Sequence, residues 1–258
     1  MGRRFVDLSV PLHNAPMEPQ ATIIQYLYHH EQARALAKRF NLPGPEYFLD
    51  GMAGANENIL ALCTHSGTHL DSPFHYGPTS EGKPAKTIDE VPLEWCYGDG
   101  VVLDFHDAPR GHNITVKEVQ EKVKALEAKG YKLKPMDIVL IRTDHTTHHL
   151  YEKDYDETHP GMSVDATEWL IDQGIKVMGI DAWGFDMPIR KMVESRLKGN
   201  AKDFFGCHVI CRRKEYIHAE KLIHLDKIPE FNFTVSMFPV RVERGSGAWI
   251  RAVAIIEE

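Results

Sequence analysis

His65-Ser66-Gly67-Thr68-His69-Leu70-Asp71-Ser72-Pro73-Phe74-His75 is the stretch from which the rest of the chain is read. Three imidazoles and a carboxylate fall within these eleven positions, among a Gly, a Thr and a Pro. Imidazole nitrogen with carboxylate oxygen is a donor set for a borderline divalent cation such as zinc, manganese or iron. His65, His69 and Asp71 would supply three protein ligands. Three ligands leave one coordination position for water, which a catalytic metal needs and a structural one lacks. His65 and His69 stand four apart, the spacing of one helix face. Gly67, Pro73 and the intervening Ser and Thr instead favour a tight turn or irregular loop. In a short extended run, His69, Asp71 and His75 would share one side, with Pro73 confining such a strand to an edge or bulge.

Outward from this stretch the pattern is α/β. Residues 101–105 are a compact apolar strand, and Thr115-Val116-Lys117-Glu118 matches a helix capping box. That helix should run to about Lys129, where Gly130 stops it. Residues 138–141 form the next strand. Ser163 caps a second helix through Asp172, ending near Gly174, and residues 176–180 follow as a strand. The alternation predicts a partly parallel sheet. In the last third, residues 206–212, 232–242 and 248–257 read as strands. Residues 25–41 read as an amphipathic helix, with Ala33, Leu36, Ala37 and Phe40 at helical spacing. It would pack on the core, line a substrate pocket or form a subunit contact. No repeat or linker stands out, so residues 1–258 are expected to form a single domain.

A formal net charge of −7 and a pI near 6.1, without a basic stripe, argue against nucleic-acid binding. Arg212-Arg213-Lys214 is short and reads as a solvated turn. Four cysteines in a chain of 258 residues do not make a disulfide framework, which suggests reduced thiols in the cytoplasm. Asp7 and Pro11 interrupt any apolar signal core, and no window approaches the roughly 20 apolar residues of a membrane span. Gly245-Ser246-Gly247 lacks the spacing of a serine nucleophile elbow.

The 65–75 string resembles the His-x-Gly-Thr-His-x-Asp-x-Pro-x-His signature of the cyclase family of metal-dependent hydrolases, which includes bacterial kynurenine formamidases and isatin hydrolases. His159-Pro160-Gly161-Met162-Ser163, Gly179-Ile180-Asp181 followed by Asp186, Phe238-Pro239-Val240 and Arg251-Ala252 extend the resemblance over most of the chain. The resemblance implies a swivelling β/β/α fold with a mixed sheet. It implies His65, His69 and Asp71 as metal ligands and His75 as the proton-transfer residue. A His and a Glu twelve apart complete a second metal position in the formamidases, which His208 and Glu220 match. The expected activity is metal-dependent hydrolysis of a C–N bond in a formamide or cyclic amide. Zinc is the first expectation for the ion and manganese the second, in a homodimer or homotetramer. A lactone or ester hydrolase, a non-catalytic metal protein and a non-haem iron enzyme are the alternatives on the same ligands. The formamidases' Trp-Pro-Gly-Asp-type segment is missing. Here Asp7-Leu8-Ser9-Val10-Pro11 leads into His13-Asn14-Ala15-Pro16, which argues against N-formylkynurenine as substrate.

Four further groups stay open. Cys207, His208 and Cys211 would make a zinc cluster. On a strand, however, the two thiols share one face and pack inside while His208 faces the site. His218 shares a face with Glu220 and competes with His208 as its partner. Asp144, His145, His148 and His149 form a second histidine-rich patch, either a metal site or a polar loop. Trp183 and Phe185 are candidates for an apolar substrate wall or for core packing.

Overall fold

Ile138-Val139-Leu140-Ile141 is apolar at every position, the pattern of a strand covered on both faces, and all four are buried. Their strand, Ile138–Arg142, lies at the centre of a nine-stranded sheet. The structure is a computed structural model that describes residues 2–13, 18 and 22–258; Asn14 to Pro16 of the segment quoted above lie outside the described residues. The chain divides into two units, Met1–Pro11 with Gly67–Glu258, and Leu12–Ser66.

In the larger unit, Tyr97–Asp104, Ile138–Arg142, Val177–Ile180 and Ile217–Glu220 run parallel as neighbours. Helices Val116–Ala128 and Val164–Asp172 make the first two crossovers, and Ile189–Leu197 and Gly206–Ile210 lie on the third. Antiparallel strands flank this core. Phe233–Ser236, Val253–Glu257 and Arg3–Asp7 lie on one side, His69–Asp71 and Gly247–Trp249 on the other. Gly247–Trp249 is an edge strand, and Val253–Glu257 lies near the opposite edge. From Trp249 to Val253 the chain spans at most about 14 Å, so the sheet must curl until its two ends approach. Leu8 N–H to Ala252 O and Ile250 N–H to Thr68 O, at 2.9 and 3.2 Å, tie those ends together.

Alternate residues of the central strands serve two cores. Ile138, Leu140 and Val177 join Leu70, Ala219, Ala248 and Ala254 on one face. Val139, Ile141 and Met178 meet Val119, Val123, Ala166, Leu170 and Ile210 of the helices on the other.

The helix over Val116–Ala128 begins as its capping box requires: Thr115 Oγ1 accepts from Glu118 N–H, and the Glu118 carboxylate accepts from Thr115 N–H at 2.8 Å. Thr115→Ala should cost about 1 kcal/mol of stability, read as a lower urea midpoint with an unchanged slope.

Several predicted elements are corrected. Residues 206–212 are not a strand but contain the short helix Gly206–Ile210, because the Asp186 carboxylate accepts Cys207 N–H and His208 N–H at its first turn. The 232–242 strand stops at Ser236, ahead of Pro239, which lacks a ladder donor. The 248–257 strand is two strands at different places in the sheet. The 143–149 loop contains a helical turn over His145–His149.

In the smaller unit, the helix predicted over 25–41 is His29–Arg39, and residues before it form the strand Ile23–Leu27, paired antiparallel with Asn56–Ala61. The β-branched and aromatic run Ile23-Ile24-Gln25-Tyr26-Leu27 suits that pairing. Ala33 and Ala37 are buried as expected, whereas Phe40, just past the helix, is exposed. Among the described residues no helix is long and apolar enough to cross a membrane.

Candidate metal centre

The site follows from the register of one short strand. His69–Asp71 pairs antiparallel with Ile217–Glu220 so that Asp71 stands opposite His218 and His69 opposite Glu220. Residues directly opposite share a face, and so do residues two apart on one strand. All four side chains therefore project to one side and are buried, while Leu70 and Ala219 between them project into the core opposite. The extended run ends at Asp71. His75 is carried instead by the 3-10 turn Pro73–Tyr76, with the proline at its first position.

Each imidazole is oriented by a second contact. Gly67 sits at φ +62°, where a side chain would be strained, and its carbonyl lies 2.8 Å from His69 Nδ1. A carbonyl only accepts, so Nδ1 carries the hydrogen. Nε2 is turned to Asp71 Oδ1 at 3.4 Å and Glu220 Oε2 at 3.6 Å. His208 Nδ1 donates to Asp186 Oδ2 at 2.5 Å. Its Nε2 then faces Asp71 Oδ2 at 3.4 Å, Glu220 Oε1 at 3.5 Å and His218 Nε2 at 3.2 Å. His218 stacks on Phe185, with centroids 4.6 Å apart, and reaches Asp71 Oδ2 and Glu220 Oε1, each at 3.5 Å. Phe185 N–H donates to Glu220 Oε1 at 2.7 Å. His75 Nε2 lies 3.6 Å from Asp71 Oδ2, beside a small pocket that Ser72, Tyr76, His208, Cys211 and His218 also line.

Burial opposes charge on His208, but its bonds to Asp186, Asp71 and Glu220 outweigh that and hold its pKa well above the usual imidazole range. Burial raises Glu220, yet hydrogen bonds to His208 and His218 keep it well below the usual carboxylate range. Two carboxylates and converging imidazole nitrogens thus share a buried space where isolated charge is costly. Ligand atoms of Asp71, His208, His218 and Glu220 all lie within 4.8 Å of one another. The donors, nitrogen and oxygen alone, fit a borderline divalent cation.

The structure thus brings His69, Asp71, His75, His208 and Glu220 together and adds His218. His65 belongs to the Leu12–Ser66 unit. His208 and His218 are not rivals for Glu220: a helix and a strand deliver them from different directions, and each lies 3.5 Å from Glu220 Oε1. Asp186, visible in sequence only as part of a motif, is the carboxylate that aims His208. A metal-bound histidine usually donates its other N–H to such a group, and removing it costs 10–100-fold in metal affinity. Asp186→Asn should weaken metal binding by about that factor, measured by chelator competition. Gly161, in the His159–Ser163 segment, packs against this aspartate. A Cβ there would stand 2.2 Å from the carbonyl oxygen of Asp186, so only glycine admits this strap.

Other candidates settle elsewhere. Burial pushes the Cys96 thiol up to about 12 and the Cys211 thiol up to about 11, and Cys207 is raised well above its usual range as well. Cys207 and Cys211 pack inside, so they form no zinc cluster with His208. His145 donates Nε2–H to Tyr155 O, His149 faces Arg110 and Glu152, and Asp144 pairs with Arg142. Asp181 accepts from Thr143 and Asp144 and shapes that polar turn. Phe185 is fully buried and supports His218 rather than facing substrate, whereas Trp183 remains partly open. His159 is buried, and desolvation lowers its pKa to about 4; its Nδ1 lies 3.1 Å from Pro160 O.

A family model described as "Putative cyclase" matches residues 6–187. The chain belongs to that family. Kynurenine formamidase of Paracidovorax citrulli is 28% identical over 202 residues, covering 77% of this chain and 79% of that protein. Isatin hydrolase of Roseibium aggregatum is 27% identical over 217 residues, covering 82% of this chain and 78% of its own. Cyclase-like protein 1 of Arabidopsis thaliana is 28% identical over 203 residues, covering 78% and 70%. The fold is that of an isatin hydrolase solved with the product analogue thioisatinate, at TM-score 0.75, 23% identity and coverage of 99% of this chain and 93% of that one. Isatin hydrolase A from Ralstonia solanacearum superposes with TM-score 0.72 at 21% identity, covering 99% and 92%. The α/β fold with a mixed sheet, expected from the resemblance, is the fold observed, and that sheet is large and curled.

Proposed function

We propose that this cyclase-family protein is a metal-dependent amidohydrolase that cleaves the C–N bond of a formamide or cyclic amide with water. The observation that carries this reading is the strand register, which turns His69, Asp71, His218 and Glu220 to one buried side next to His75. His65, His69, Asp71, His208 and Glu220 are the proposed ligands. The ion is zinc first and manganese second, on the donor chemistry alone. A divalent cation held there would lower the pKa of water toward ~7 and polarise the substrate carbonyl.

The chain's own groups then divide the work. Asp186 and Gly67 fix which nitrogen of His208 and His69 faces the centre. His75, less buried than His69, His208 and His218 and beside the pocket, takes a proton from the attacking water. As the C–N bond breaks it returns that proton to the leaving nitrogen, yielding a carboxylate and an amine. Imidazole suits this exchange because it titrates near neutral pH. Relatives named as a kynurenine formamidase and an isatin hydrolase support an amide as substrate.

The test is turnover of a panel of formanilides, isatin-like lactams and lactones, before and after EDTA treatment and on adding back zinc or manganese. Amide hydrolysis that EDTA stops and metal restores is expected. Hydrolysis indifferent to EDTA, or confined to lactones, would overturn the proposal.

A homodimer or homotetramer is proposed as well. The Leu12–Ser66 unit exposes Leu49 at 86% and Leu60 at 64%, apolar side chains that a second copy would cover. Light scattering on the eluting protein should give a multiple of 29.4 kDa; the mass of a single chain would refute it. Free thiols at all four cysteines support a reducing, cytoplasmic setting.

A further inference from the structure

We infer that His218 is itself a metal ligand, and that with Asp71, His208 and Glu220 it forms a closed four-ligand position, separate from the one that His69 serves. This rests on the metal-centre reading above and deepens it.

The argument is geometric. Zinc bonds of about 2.0–2.2 Å to nitrogen and oxygen in a tetrahedron place neighbouring ligand atoms about 3.3–3.6 Å apart. Five of the six ligand–ligand edges are known. Asp71 Oδ2 to His208 Nε2 is 3.4 Å, and to His218 Nε2 it is 3.5 Å. Glu220 Oε1 lies 3.5 Å from each of the same nitrogens, which are 3.2 Å apart. The nearly equal edges describe a tetrahedron of the size a zinc ion fills. The same bonds in an octahedron would instead set adjacent ligand atoms about 3.0 Å apart, closer than these five edges. Because His208 Nδ1 donates to Asp186, its neutral form presents a lone pair at Nε2, aimed at this same point.

The carboxylates also divide by oxygen. Asp71 Oδ2 and Glu220 Oε1 serve the His208 and His218 side, while Asp71 Oδ1 and Glu220 Oε2 face His69 Nε2. Each carboxylate is thereby placed to bridge two positions. A position with four protein ligands has no vacancy for water, as in structural sites. An ion held there would neutralise and polarise the two carboxylates that the His69 side shares.

The experiment counts metal per folded chain in the wild type and in His218→Gln, with circular dichroism to confirm folding, and compares the visible absorption of the cobalt-substituted forms. The wild type should hold two ions and show the intense bands of tetrahedral cobalt. His218→Gln should lose one ion, or bind it 10–100-fold more weakly, and lose those bands. Equal metal content and an unchanged cobalt spectrum would overturn the inference. Should His218→Gln not fold, the wild type with 15N-labelled histidine decides. On zinc titration the His218 Nε2 resonance must move to the metal-bound range and cease to titrate with pH. A His218 that still titrates marks a proton-linked cluster and refutes the assignment. A protein that takes up no metal at all would instead refute the centre as a whole.

Discussion

His75→Ala should leave metal content unchanged and lower kcat by about 10²–10⁴, the range typical of a lost general acid–base group. His75 stands apart from the buried ligands, with its side chain 27% exposed against 2% for His69 and 8% for His208. It lies 3.6 Å from Asp71 Oδ2, borders the pocket and sits on a turn rather than on the paired strands. Its loss should therefore remove a proton carrier and spare the cage. His69→Ala is the contrasting variant, since His69 faces both carboxylates from within the strand register and its removal should empty the position it serves and abolish turnover together. Metal analysis beside steady-state kinetics separates the two. Equal metal loss in both variants would make His75 a ligand and leave the proton transfer to another group.

The second large effect is on stability. Removing metal with EDTA should lower the melting temperature sharply, because a cation bound only by the folded chain contributes about 4 kcal/mol when free ion stands at a thousand times its dissociation constant. The buried carboxylates and imidazoles are otherwise left to balance one another with protons. His208 has a folded pKa raised by Asp186, Asp71 and Glu220. In the metal-free protein its stabilising contribution is thus fully present below the unfolded imidazole value near ~6.5 and is lost as pH rises through the higher folded value. A cation must displace that proton. Metal affinity should therefore rise with pH, with proton release visible by calorimetry in buffers of different ionisation enthalpy. Uptake independent of pH would show that His208 is not among the ligands.

Much of this architecture was legible locally. The helix over Val116–Ala128 was readable from Thr115 and Glu118, and the central strands from apolar runs that admit no solvent-facing side. Both signals lie within a few residues of one another. The helix around His208 was not legible, because its first-turn donors are satisfied by Asp186, some twenty residues away and on another segment. The end strands misled for a related reason. Residues 248–257 carry a continuous β pattern, yet the curl of the sheet sends Gly247–Trp249 and Val253–Glu257 to different neighbours.

By itself, the order of residues determined the chemistry: the donor types of the 65–75 stretch, the glycine that turns it and the family to which it belongs. Which side chains share one ion was decided only in three dimensions. Register sets Asp71 against His218 and His69 against Glu220, and a short helix held by Asp186 brings in His208. Spacing along a chain specifies which face a side chain takes within its own element. The meeting of two elements depends on strand pairing and helix packing between distant segments, and no local pattern encodes that.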